Sequence, residues 1–190
     1  MRTAELFAQK TVFSLEVFPP KPDADESVIY QTLEQLSGIQ PDFISVTYGA
    51  GGGKNGCKTI QIASDIQRKY GVESVAHLPC INLTKPQAKE ILDRMQDAGI
   101  ENILALRGDR ADDTASAGDF RHASDLISFI TEHYDFNILA IATTASKLLE
   151  TVPNKKPVFF ERTSTTAIEE IKIILFNTLC NFLPLKNIIE

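Results

Sequence analysis

Cysteine is scarce in this chain and scattered: Cys57, Cys80 and Cys180 form no C-x-x-C pair. That excludes a disulfide framework and a zinc ribbon, and it fits a reducing compartment such as the cytoplasm. Positive charge is also in deficit, with 19 Lys and Arg against 25 Asp and Glu and a net charge of −6. No global basic field is available to hold nucleic acid or an anionic membrane surface. Long apolar runs are missing too, since none reaches the roughly 18 residues that a membrane span requires. The opening "MRTAELFAQKTVFSLEVFPP" lacks the apolar core and small-residue cleavage site of a secretory signal. What remains is a soluble globular domain, and 190 residues at 43% hydrophobic content are enough to bury one core.

Along the first three quarters, short runs suited to strands alternate with amphipathic stretches. The first strand is expected over "TVFSLEVF" (11–18) and is stopped by Pro19 and Pro20, which have no amide hydrogen to give a ladder. "DFISVTYG" (42–49), "ESVAHLPC" (73–80), "NILALRGD" (102–109) and "FNILAIAT" (136–143) supply four more strands. Between them, "DESVIYQTLEQLSGI", "CKTIQIASDIQRKYG", "TKPQAKEILDRMQDAG" and "HASDLISFITEHY" have helical spacing. The third of these opens on an N-cap threonine, Thr84, and closes on Gly99. Strands alternating with helices define an α/β fold with a parallel sheet, as a barrel or as a doubly wound open sheet. In either architecture the C-terminal ends of the strands carry the chemistry.

Polar residues gather at those ends. Glu16, Thr47, Tyr48, His77, Arg107 and Asp109 stand where a buried strand would favour valine. An unpaired buried charge costs several kcal/mol, so four strands spending it at one edge point to a shared site. Glu16, among Phe13, Leu15, Val17 and Phe18, has the poorly hydrated surroundings of a general acid, and it equally suits a structural pair with an arginine. Arg107 offers a planar fork for phosphate or carboxylate, and Gly108 admits a flat ligand or another backbone. Asp109 accepts hydrogen bonds from a heterocycle, so the trio suits an anion joined to a nitrogen ring; a plain turn closed by an Arg/Asp pair is the alternative. His77 reads as a satisfied core histidine or as a ligand, His122 as a residue near a helix start, and His133 as surface. "TYGAGGGKNG" fills neither the P-loop nor the G-x-G-x-x-G pattern, and no metal-ligand cluster is evident. An aldolase is disfavoured because no lysine ends a strand.

Five strings carry a resemblance: "FSLEVFPPK", "DFISVTYGAGG", "AHLPCINLT", "ILALRGD" and "DFRHASDLI". In this order and at these separations they resemble the methylenetetrahydrofolate reductase family, flavin-dependent enzymes that make methyltetrahydrofolate, over about residues 10 to 140. The resemblance implies a (β/α)8 TIM barrel with FAD at the C-terminal ends of the strands. It also implies a ping-pong reaction, in which NADH or NADPH reduces the flavin and the flavin passes hydride to the methylene carbon of a folate substrate. Glu16 then matches the general acid that helps open the folate ring, and Asp109 the carboxylate near flavin and pterin. Thr47, Tyr48, Ala50, His77, Leu106, Arg107, Gly108 and Asp109 match FAD-lining positions, while Glu16, Thr47 and Asp109 also face the substrate. His122 and Ala123 match a further flavin-contacting pair, although many relatives carry tyrosine at the first.

After about Thr143 the likeness stops. The family's Y-P-E stretch, its flavin-binding helix and its folate-binding glutamine have no counterpart in 144–190. The expectation is therefore residues 1–143 as the N-terminal part of the barrel, truncated after about the fifth strand, followed by a divergent tail. The tail reads as a disrupted end, which makes the chain an inactive fragment, or as a replacement that covers the sheet with a helix over "AIEEIKIILFNTLCNFL". Two unpaired sheet edges would favour association into a homo-oligomer.

Overall fold

The computed structural model describes residues 1–10, 12–20, 24–48, 53–108, 118–141, 158–168 and 171–177. Helix α1 (Thr3–Gln9) precedes strand β1 (Val12–Val17). The chain then alternates through α2 (Ser27–Ser37), β2 (Phe43–Val46), α3 (Gly53–Tyr70), β3 (Glu73–Pro79), α4 (Lys85–Asp97), β4 (Asn102–Leu106), α5 (Ala123–His133) and β5 (Asn137–Ile141). Two longer strands follow, β6 (Val158–Ile168) and β7 (Ile171–Asn177).

Local chemistry explains the element ends. Thr84 caps α4, its hydroxyl accepting from the Gln87 amide at 3.4 Å while the Gln87 side chain accepts from the Thr84 amide at 2.9 Å, a reciprocal capping box. Gly99 ends that helix at φ +78°, a left-handed turn that a side chain would disfavour. At the end of α2, Gly38 is still helical at φ −70°, and the left-handed residue is Gln40 at φ 53°.

Neighbouring strands β1 to β5 pair in parallel, each crossing over through a helix on the outside. The fold is thus an α/β barrel of the (β/α)8 kind, and among the described residues strand and helix alternate as far as β5. Alternation along each strand separates two cores. Leu15, Val17, Ile44, Val46, Ala76, Leu78, Ile103 and Ala105 pack outward against the helices. Val12, Phe43, Val75, Leu104 and Leu139 point inward and meet Leu6 and Phe7 of α1, which closes the N-terminal end of the barrel. Phe7 meets Phe43 edge to face with ring centroids 6.0 Å apart.

The tail departs from the helical expectation. Residues 158–168 pair in parallel with β5 and turn back as β7, which pairs antiparallel with both β6 and β1. The described strands therefore close in the order β1-β2-β3-β4-β5-β6-β7, and the two edges expected to stand open are hydrogen-bonded by this hairpin. The run "IKIILFN" is rich in isoleucine, which suits a pleated surface. An unpaired edge offers it a ladder on each side, and that outweighs the helical spacing.

Candidate functional site at the strand ends

The inward face of β1 runs Val12, Ser14, Glu16, and that of β3 runs Val75, His77, because alternate residues share a face. In a barrel, side chains from alternate strands share a layer. Glu16 and His77 flank β2 and meet across the interior, with Oε2 and Nε2 3.6 Å apart and the two side chains 12% and 7% exposed. So little water reaches them that their mutual interaction is weakly screened. Between them on β2 lies Ser45, whose hydroxyl donates to the Leu15 carbonyl at 3.4 Å.

Thr47 follows the last residue of β2. Its amide donates to the Val17 carbonyl at 3.0 Å and its carbonyl accepts from the Thr59 hydroxyl at 3.0 Å, which fixes its backbone at the rim. Tyr48 is half-buried, and burial first, with Cys57 nearby second, holds its phenol above the ordinary value. The group therefore stays protonated at neutral pH and can act as a donor. Leu106 packs against the inward cluster.

Arg107 is exposed, and its Nε donates to the Gly108 carbonyl at 3.4 Å. No carboxylate pairs with it among the described residues. Gly108 lies at φ +77°, where a Cβ would come within 2.7 Å of the Pro79 Cβ. Of the two sequence readings for this glycine, the structure shows close approach by another part of the chain. The amides of Cys80 and Ile81 donate to the carbonyls of Leu106 and Arg107 at 3.0 and 2.9 Å, extending the β3/β4 seam past the strands.

His122 is the N-cap of α5 and is exposed; Ala123 begins the helix and is half-buried. The Asp125 carboxylate accepts from the amides of Arg121 and His122 at 2.8 and 2.9 Å. The His122 carbonyl accepts from the Cys80 thiol at 3.4 Å, joining this helix start to the end of β3. Glu16, Thr47, Tyr48, His77, Leu106, Arg107, Gly108, His122 and Ala123 thus share the C-terminal end of the parallel strands. Ala50 and Asp109 lie outside the described residues. His133, by contrast, is exposed near the far end of α5, stacked on Phe129.

Two neighbours of the rim were not foreseen. Cys80 is fully buried, and burial, followed by the charge of Asp125, pushes its thiol up to about 11. Arg94 of α4 stands near the Cys57 thiol and acts on the Tyr48 phenol. Nothing in the local sequence marks either, because each depends on packing between separate elements. Among the described residues no three His, Cys, Asp or Glu side chains group as metal ligands, and no helix is long and apolar enough to cross a membrane.

A closed β/α barrel with an acid facing an imidazole at the C-terminal rim defines a class, the barrel proteins that work from their strand ends. Comparison narrows it. The profile of the methylenetetrahydrofolate reductase family matches residues 2–145, and the chain belongs to that family. It is 36% identical over 139 residues to the 5,10-methylenetetrahydrofolate reductase of Escherichia coli (strain K12), covering 73% of this chain and 46% of the relative. It is 36% identical over 129 residues to the enzyme of that name in Pectobacterium carotovorum, covering 68% of this chain and 42% of the relative. To methylenetetrahydrofolate reductase 1 of Schizosaccharomyces pombe it is 36% identical over 131 residues, 67% of this chain and 22% of the relative. The chain spans under half the length of these curated relatives.

Proposed function

We propose that this chain works as a flavin-dependent reductase of the cytoplasm, converting 5,10-methylenetetrahydrofolate to 5-methyltetrahydrofolate with NADH or NADPH as the reductant. The observation that carries the proposal is the Glu16/His77 pair, inside the barrel and at the rim where Thr47 and Arg107 also stand. Family membership supports the folate and the reduction.

The donor set at the rim fits FAD. Arg107 is an exposed cation with no carboxylate partner among the described residues, as a diphosphate requires, while Thr47 and the protonated Tyr48 offer neutral donors at the same end of the strands. When bound, the flavin supplies two-electron hydride transfer, chemistry that no side chain here can perform. Leu106, Gly108, His122 and Ala123 would border it, and Asp109 and Ala50 belong to the same proposed set.

The chain's own work is to hold the folate against that rim and to deliver a proton. Glu16 donates from its carboxyl oxygen to the ring nitrogen that leaves the methylene carbon; the C–N bond breaks with its electron pair on that nitrogen. Screening by water is slight at an acid 12% exposed, so the charge developing on substrate and acid is felt strongly.

Purified protein tests this in two steps. Flavin absorption bands should accompany the chain, and NADH or NADPH oxidation should couple to consumption of the folate. A chain that binds no flavin when FAD is supplied contradicts the proposal. A second reading, a fragment that binds flavin without turning over, is favoured by β7, which pairs antiparallel with β1 where a (β/α)8 barrel closes with a parallel strand. It predicts flavin bands with no folate-dependent turnover.

A further inference from the structure

We propose that Asp119 is a positioning residue that staples the segment before α5 to the N-terminus of α4, and so sets His122 and Ala123 at the rim. That those two residues border a flavin rests on the proposed reductase reading; the staple itself does not.

The start of α4 leaves one amide that its own cap does not serve. The capping box takes the amides of Thr84 and Gln87, and Pro86 has none to give. The Lys85 amide remains, and it donates to the Asp119 carboxylate, 34 residues further along the chain, at 2.8 Å. The positive end of the helix dipole favours a carboxylate at that place. The backbone around Asp119 is tied to the same loop. The Gly118 amide donates to the Ile81 carbonyl at 3.3 Å, and the Asp119 amide to the Leu83 carbonyl at 2.9 Å. At Gly118 a Cβ would strike the Leu83 backbone, so the two segments lie as close as a glycine allows. Phe120 is 2% exposed and meets Phe129 of α5 edge to face at 5.6 Å. Two residues on, the His122 carbonyl accepts from the Cys80 thiol. From Gly118 to His122 the chain is thus fixed against residues 80–85, and α5 starts where that seam ends. Asp119 joins the seam to α4 through its side chain, whereas its neighbours hold by backbone bonds and packing. It is itself exposed, so replacing it opens no cavity in the core.

The chain has three histidines, which makes a direct test simple. The full chain with 15N-labelled histidine is followed by NMR as native protein, as Asp119→Ala and as Asp119→Asn. Asparagine removes the charge and keeps an oxygen that accepts; alanine removes both. The His122 signals should move in Asp119→Ala and return toward native in Asp119→Asn, with His133, at the other end of α5, unmoved in both. Unmoved His122 signals in Asp119→Ala, or equal shifts in the two variants, would overturn the role. Fluorescence titration of FAD with the same three proteins reads the consequence at the rim: binding about fivefold weaker in Asp119→Ala and native in Asp119→Asn. Flavin bound equally well by Asp119→Ala would count against the positioning. Flavin bound by none of the three would sink the reductase reading, while the His122 signals still decide the staple.

Discussion

Buried polar groups occupy both ends of this barrel, and the two ends use them differently. At the N-terminal end, Asn102 accepts from the Thr3 amide at 2.9 Å and from Asn137 at 2.8 Å, and donates to the Met1 and Ser74 carbonyls, both at 3.2 Å. Asn137 also donates to the Thr3 hydroxyl at 2.7 Å. Helix α1 lies over this end, and its ammonium terminus reaches Glu73 at 2.6 Å. At the C-terminal end, Glu16 faces His77 at 3.6 Å, and the arginine at the rim is exposed. Short, mutually satisfied bonds among amides lock one end. Titratable groups held near one another at the other end suit the proposed chemistry. Burial of a polar residue therefore does not by itself mark a site; what decides is whether the group can change its proton or its partner.

Breaking the lock should have the largest effect. Asn102→Ala removes the hub of the N-terminal network and should lower unfolding free energy by about 3 kcal/mol in urea titration, several bonds at about 1 kcal/mol each. A loss under about 1 kcal/mol would mean that the network is replaceable by water. At the other end, Glu16→Gln should reduce the folate half-reaction by at least about a hundredfold, and the nicotinamide half-reaction much less. Rapid-mixing kinetics on each half separates the two, and equal losses would count against proton donation.

Gly108→Ala sharpens the contrast, because a rim position can be structural too. Its left-handed φ and the contact at 2.7 Å with Pro79 predict a loss of about 2 kcal/mol, seen as a lower melting temperature. A neutral result would place the strain elsewhere. The smallest effect is expected on the barrel's outer surface, away from both ends. Tyr134 donates to Asp93 at 2.7 Å, and burial, then this bond, pushes its phenol up to about 12. The folded chain thus holds that proton more tightly than the unfolded chain. The resulting stability is full below about pH 10 and is lost as pH rises through the folded value. Tyr134→Phe should flatten the alkaline fall in stability, and an unchanged slope would show that the phenol does not contribute.

Much of the parallel half could be read from the residues. β1 to β5 and α2 to α5 fall within a few residues of the expected spans, because proline stops, the Thr84 cap and Gly99 are local signals. The rim residues were legible for a related reason: charged groups interrupt apolar strands. Helix α1 was missed, although Leu6 and Phe7 in "TAELFAQ" could have suggested a short apolar face. The N-terminal lock was missed as well. Its signal was the repeated "NILA" at 102–105 and 137–140, whose asparagines start two strands that pair in register. Strand β7 lies in the run that the replacement reading made a covering helix; the open edges were foreseen, but helical spacing does not reveal that this run pairs with them as a strand. Gly108's contact with Pro79 joins elements far apart in the chain, which no local pattern encodes.

The central claim is that the rim of the parallel strands cradles a flavin, and fluorescence titration of FAD with the full chain tests it most directly. The account predicts saturable quenching that Arg107→Ala weakens by about tenfold or more, the loss of a charge-assisted phosphate contact. Equal affinity in the two proteins, or no binding in either, would contradict it.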